Sequence, residues 1–401
     1  VSGDVLTLLR SPAGLADPYR IYAGLRARQP VSRTPGGVFV VTGYGDCEKI
    51  LKDTSTFRGP ARSEMLTAYP RASDHLSLQV LISQNLLGLS GPEHARLRSC
   101  MTRGLTPRRI EELRGVTENL ARVHIAQLAD RLRDGGPVNM HDALSVPFPL
   151  AVFARLAGLP GSDLAWYAGI LPQILKSGDP AATEEDLAES DQAVAALLEY
   201  ITGLAARRRQ APGDDLISAL AAISDLTQPE LVMLAMALLI GGFETTAAAI
   251  DNGMIALLRR GPLGAWRGTS PSGLVSEMLR YDSPAQCNPG VRLAAHTTVL
   301  GGTEIPAGSD VRAMIGAANR DPAVFADPDR FDPDRDGPPS LTFGAGRHYC
   351  PGSALARLKL DVLFPLIAEQ IPGLELAGDP VRRPSSVLRA VDQLPVTLAR
   401  P

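Results

Sequence analysis

The chain has 401 residues, 45% of them hydrophobic, which is enough to fill a substantial core and excludes a disordered polymer. Its 40 Lys and Arg are balanced by 43 Asp and Glu, and the net charge of −3 excludes a global electrostatic hold on nucleic acid or an anionic membrane. Cys47, Cys100, Cys287 and Cys350 are widely spaced with no CxxC pair, which excludes a zinc knuckle or redox dithiol and fits a reduced, intracellular setting.

In chain order, Asp17 to Arg28 has helical spacing, GGVFVVTGYGD (Gly36 to Asp46) reads as a short strand pair, and Tyr44 to Lys52 as another helix. From Phe57 to Ser90 periodicity is lost, so this stretch is expected to be a functional or partly disordered loop. Pro92 to about Arg260 is mainly helical, with interruptions at Gly135–Gly136, Leu159–Asp163, Ser177–Ala182 and Ala211–Asp215. Within it, Thr227 and Glu230 have capping-box spacing and Pro229 suits a first turn. A continuous helix from Thr227 to Arg260 would extend about 50 Å at 1.5 Å per residue. Its apolar run, Leu231 to Phe243, is shorter than the roughly 20 residues that span a bilayer. The first residues lack the basic-then-apolar order of a signal peptide, so a soluble, cytoplasmic protein is expected.

After Pro284 come short strands (Val291 to Ile315), a turn-rich stretch (Asn319 to Ser340) and the amphipathic pattern SALARLKLDVLFPLIAEQI (Ser353 to Ile371). The expected fold is mainly α with a minor β portion, in a single domain over 1–401. Its β-richer parts are about 1–60, 285–315 and 375–401, and its helical parts about 90–280 and 350–370.

The segment FGAGRHYCPG, Phe343 to Gly352, carries the most chemical information. Gly344 and Gly346 permit positive φ or close backbone approach, and a helix is expected to begin near Gly352. A cysteine at a helix N-terminus is placed to be a thiolate. As a thiolate Cys350 could be a nucleophile or a metal ligand, and a purely structural cysteine in a glycine-rich turn is the bland alternative.

FGAGRHYCPG resembles the heme-binding signature of cytochromes P450, Phe-x-x-Gly-x-His/Arg-x-Cys-x-Gly, at every fixed position. The resemblance implies that Cys350 is the axial ligand to the iron of heme b and that Phe343 packs near the sulfur. Gly344 would help expose backbone N–H groups, and His348 would bond a heme propionate. Pro351 departs from the apolar residue often found there and removes one N–H near the sulfur. Four further segments agree with the family. EMLR (Glu277 to Arg280) resembles its Glu-x-x-Arg, implying a structural network with Arg330 of DPDRF. IGGFETT resembles its Ala/Gly-Gly-x-Asp/Glu-Thr-Thr/Ser. It implies a distorted helix in which Gly242 borders the cofactor, Thr245 bonds dioxygen, Glu244 serves a proton relay and Phe243 shapes the distal side. GPEHARLR resembles a Pro-Glu-His-x-x-x-Arg segment and implies that His94 and Arg98 bind propionates, as does Arg292 in VRLAA.

The implied fold is that of a cytochrome P450, with heme between the long central helix and the cysteine loop. The implied activity is a heme-thiolate monooxygenase that hydroxylates or epoxidises a natural-product intermediate, polyketide- or peptide-derived, free or tethered to a carrier protein. Oxidative coupling or desaturation is the alternative within catalysis, and a noncatalytic heme-thiolate sensor the alternative outside it. Electrons would come from a separate ferredoxin and its reductase. Arg96, Arg103, Arg108, Arg109, Arg347, Arg357 and Lys359 are expected on the docking face, and Gln286, Cys287 and Asn288 are expected to lend polarity to the substrate pocket.

Overall fold

The computed structural model describes residues 4–61, 64, 70–83, 86–288 and 290–399. Helix α1 (Pro18–Arg28) starts where the Asp17 carboxylate accepts the Tyr19 amide. Strands β1 (Val31–Arg33) and β2 (Phe39–Val41) form a hairpin, and α2 (Tyr44–Lys52) follows. The expected strand pair within Gly36 to Asp46 is therefore one strand. Its hairpin partner lies upstream, across a turn where Gly37 has φ 85°, and β3 (Val311–Ala313) pairs with its other edge in parallel.

The stretch expected to lack periodicity contains a short strand, Phe57–Arg58, and a helix, α3 (Leu76–Ser83). LSLQVLIS is apolar at most positions, so it carries no stripe by which its helical period could be read. Residues 62, 63, 65–69, 84 and 85 of that stretch lie outside the described residues.

The helical body comprises α4 (Gly91–Arg103), α5 (Arg114–Arg133), α6 (Pro147–Ala157), α7 (Leu164–Lys176) and α8 (Glu184–Gln210). Between α5 and α6, His141–Ser145 forms a turn of π-helix. The capping box starting α9 (Gln228–Gly241) is formed: Glu230 N donates to Thr227 Oγ1 at 3.4 Å and Thr227 N to Glu230 Oε2 at 2.9 Å.

The expected continuous helix is interrupted. α9 ends at Gly241 and α10 (Glu244–Leu258) begins after a gap of two residues, with Phe243 at φ −143°, ψ −35°. Two adjacent glycines weaken the ladder enough for surrounding contacts to open it. Together the two segments, Gln228–Leu258, are long and apolar enough to cross a membrane, but 61% of that apolar window is buried inside the protein. α8 packs on α9, α10 on α11 (Pro271–Tyr281), and α11 on α12 (Ser353–Gln370), which also lies along α5.

Glu277 and Arg280 on α11 form a buried pair, with Nε and Nη2 each 2.7 Å from the carboxylate. The expected third member is corrected. Arg330 contributes its backbone carbonyl, while its own guanidinium turns to Asp332 at 3.2 Å and is 68% exposed. Arg335 instead approaches Glu277, at 3.5 Å, with an 11% exposed side chain. The chain turns back at residues 327–332, which brings the later arginine inward, and sequence spacing gives no hint of it.

Candidate active site

The cysteine segment is a loop of two single 3₁₀ turns, Leu341–Phe343 and Gly346–His348, leading into α12. Gly344 has φ 73°, ψ −164°, a region essentially reserved for glycine. Gly346 has φ 67°, and a Cβ there would lie 2.9 Å from Lys52 Cα and 3.0 Å from Leu51 O. Neither backbone atom of α2 can yield. Gly346→Ala is therefore expected to shift the loop, adding about 1–2 kcal/mol of left-handed strain to the steric cost. Heme content per protein and the thermal midpoint should both fall, and wild-type values for both would contradict this geometry.

The loop closes on itself through Cys350 N, which donates to Phe343 O at 2.8 Å. Cys47, Cys100 and Cys287 are buried, whereas Cys350 is partly exposed. Burial raises its thiol, and the amides of Gly352 and Ser353 together with the Arg98 guanidinium oppose that rise. Pro351 contributes no amide, so the sulfur's backbone donors come from the two residues after it. Phe343 lies with its ring centroid 6.3 Å from that of Tyr349 and under the Arg357 guanidinium at 5.3 Å.

Four residues from three segments, the loop itself included, converge here. The rings of His94, on α4, and His348 are 4.2 Å apart. Arg98, one turn beyond His94, donates to Tyr349 O. Buried Arg292 donates to Leu87 O at 3.0 Å and to Val291 O at 2.9 Å. Burial, then the arginines around it, holds His94 down at about 4. Burial, then Arg292, His94 and Arg98, holds His348 down at about 3. His94 Nε2 and His348 Nδ1 are buried without a hydrogen-bond partner. Buried orphan nitrogens among like charges call for an anion with several oxygens.

The helix interruption forms another part of the site. Gly241 has nothing within 4 Å of where a Cβ would stand, and Thr245, one turn on, is exposed. Gly242 faces elsewhere: its missing side chain is replaced by the Phe153 ring of α6, 2.4 Å from an ideal Cβ. Phe243 is fully buried against Tyr167, with centroids 5.5 Å apart, and so packs the core instead of shaping an open groove. Glu244 is also buried and is held by Arg383 Nη1 at 2.6 Å; Arg383 Nε in turn binds the half-exposed Asp392 at 2.8 Å.

Two other expectations are corrected. Gln286 and Asn288 are buried and spent internally. Tyr22 Oη donates to Gln286 Oε1 at 2.9 Å, and Asn288 Oδ1 accepts the Ala313 amide at 2.7 Å. Cys287 is fully buried, so none of the three lends polarity to a pocket. Lys359 is 1% exposed and is no part of a docking face. On that face Arg96 pairs with Glu230, Arg108 with Glu112 at 2.9 Å and Arg109 with Asp214 at 3.4 Å, while Arg103 and Arg347 are exposed. Sequence reading missed Arg335, Arg383 and Asn319, whose partners Glu277, Glu244 and Leu341 lie 58, 139 and 22 positions away and leave no local signal.

The Cytochrome P450 family profile matches residues 272–370. Cytochrome P450 BJ-3 of Bradyrhizobium diazoefficiens is 36% identical, over 98% of this chain and 96% of that protein. 6-Deoxyerythronolide B hydroxylase of Saccharopolyspora erythraea is 34% identical, over 97% and 98%. The crystal structure of P450BioI in complex with an acyl carrier protein ligated to hexadec-9Z-enoic acid matches with a TM-score of 0.87 and 29% identity, over 97% of this chain and 100% of that one. A largely helical fold with this cysteine loop and an interrupted apolar helix is that of a heme-thiolate protein, and at this identity and coverage the chain belongs to the cytochrome P450 family. It is a monooxygenase that binds heme b.

The residues fit that cofactor. Among the described residues no set of three or more His, Cys, Asp or Glu side chains could hold a bare metal ion. One partly exposed cysteine offers a single sulfur, and the two orphan histidine nitrogens suit the carboxylates of a heme.

Proposed function

We propose that this enzyme hydroxylates or epoxidises a natural-product intermediate, polyketide- or peptide-derived, with electrons from a separate ferredoxin and reductase. The observation that carries this reading is the interrupted helix, which presents an exposed threonine next to a buried, tethered carboxylate. The names of two relatives support the substrate class: one hydroxylates 6-deoxyerythronolide B and another is seen with an acyl carrier protein. Exposed Arg103 and Arg347 are offered to the acidic face of a ferredoxin.

Heme, when bound, would supply dioxygen activation, and Cys350 would hold its iron as a thiolate. His94, Arg98, Arg292 and His348 would hold its carboxylates, while Gly241, in the place expected of Gly242, leaves open space one turn before Thr245. Gly344 and Phe343 shape the loop that carries the sulfur. The exposed Thr245 hydroxyl would donate a hydrogen bond into the groove and pass a proton on from its Oγ1. Glu244 supplies that proton on swinging away from Arg383, and the Arg383–Asp392 pair links the buried carboxylate to the surface.

Screening natural-product intermediates, free and carrier-bound, for a low- to high-spin shift tests the substrate class. A shift given by simple alkanes and by none of these intermediates would overturn it. With a substrate in hand, Thr245→Ala should lower product per electron pair several-fold and release the balance as peroxide. Unchanged coupling would remove Thr245 from oxygen handling.

A further inference from the structure

The ammonium of the fully buried Lys359 makes one hydrogen bond among the described residues: Nζ donates to Gly242 O at 3.1 Å. An uninterrupted helix would place the Thr246 amide on that carbonyl. Here the ladder resumes only with Ala247, whose N donates to Phe243 O at 2.8 Å, and among the described residues no backbone amide reaches Gly242 O. Side chains from three helices close around the interruption. Lys359 comes from α12, Tyr167 of α7 donates to Leu239 O, and Phe153 of α6 fills the space beside Gly242 with its ring 5.8 Å from Lys359 Nζ.

An ammonium is a costly choice here. Burial alone, with no charged neighbour contributing, lowers Lys359 to about 7. Its flanking residues Leu358 and Leu360 are apolar, and methionine would fill the same space without a buried charge. A residue kept where it opposes stability points to a role in function.

We propose that Lys359 is a positioning residue for the oxygen-handling groove, holding the Gly242 carbonyl away from Thr246 so that the helix stays open beside Glu244 and Thr245. This rests on the monooxygenase reading above. It also ties the groove to the helix that follows the cysteine loop, which begins three residues after Cys350.

The test is amide hydrogen exchange resolved at single residues, on heme-loaded wild type and on Lys359→Met and Lys359→Gln. In wild type the Thr246 amide should exchange much faster than Ala248. In Lys359→Met the ladder should close and slow Thr246 about tenfold, the worth of one net hydrogen bond. Lys359→Gln keeps a donor and should stay near wild type. Lys359→Met should also be the more thermostable protein. The sign follows from the depressed folded value: the unfolded chain binds the proton more tightly between about 7 and the ordinary 10.5, so wild-type stability falls as pH drops through that window. The gain from methionine should therefore be largest below pH 7.

Three results would overturn the proposal: a Thr246 amide protected like Ala248 in wild type, exchange unchanged in Lys359→Met, or equal closure in the methionine and glutamine variants. The wild-type measurement stands even if a variant fails to fold. Loss of the thiolate-type carbon monoxide spectrum in wild type would instead sink the underlying heme-thiolate reading, whatever Thr246 does.

Discussion

Cys350→Ala abolishes the strongly red-shifted Soret band of the reduced, carbon monoxide-treated protein, and Cys350→His moves it to the position of histidine-ligated heme. The expectation rests on how the loop presents this one sulfur. Cys350 N is tied to Phe343 O, so the residue cannot rotate away without breaking the turn. The Gly352 and Ser353 amides and Arg98 favour its anion against burial. The other three cysteines are buried, and burial pushes the thiols of Cys47 and Cys287 up, Cys287 to about 12. They cannot substitute for it. Protein yield should change little, because the His94–His348–Arg98–Arg292 cluster does not depend on the sulfur. A red-shifted band persisting in Cys350→Ala would contradict the assignment of the ligand.

Arg280→Leu is expected to be the most destabilising single change outside the site, by about 3–5 kcal/mol, because it strands a buried carboxylate. Glu277 and Arg280 are each 3% exposed. The arginine also donates to Asn319 O at 2.8 Å and Pro328 O at 3.0 Å, and Glu277 accepts the Asp332 amide at 2.8 Å. Asn319 carries the constraint onward. Its Oδ1 accepts the Leu341 amide at 2.7 Å, and its Nδ2 donates to Thr342 Oγ1 at 2.9 Å, two residues that open the cysteine loop. Loss of the arginine should thus lower both the urea midpoint and heme retention. The Glu277→Leu, Arg280→Leu double variant should lose less than the sum of the two singles, since it removes both charges together. A single variant within about 1 kcal/mol of wild type would show that the network is not structural.

The sequence by itself determined what rests on local chemistry. FGAGRHYCPG identified the cysteine and the glycines that its loop requires. The capping box placed the start of α9, and the spacing of Glu277 and Arg280 put both on one helical face. The His94–Arg98 spacing likewise placed two members of the His94–His348–Arg98–Arg292 cluster one turn apart. Hydrogen bonding between neighbours, backbone φ and helical period are all set within a few residues, so a single chain reveals them.

Tertiary structure decided the rest. Arg335 replaced Arg330 at Glu277, Phe153 took the space beside Gly242, and Arg383 reached Glu244 from 139 positions away. Gln286 and Asn288 turned from pocket polarity to internal bonds, and Lys359 from a surface charge to a buried strut. In each case the side chain's identity was plain, but its role depended on where the backbone carried it. A charged residue reads alike in sequence whether water or a single carbonyl receives it; only packing determines which.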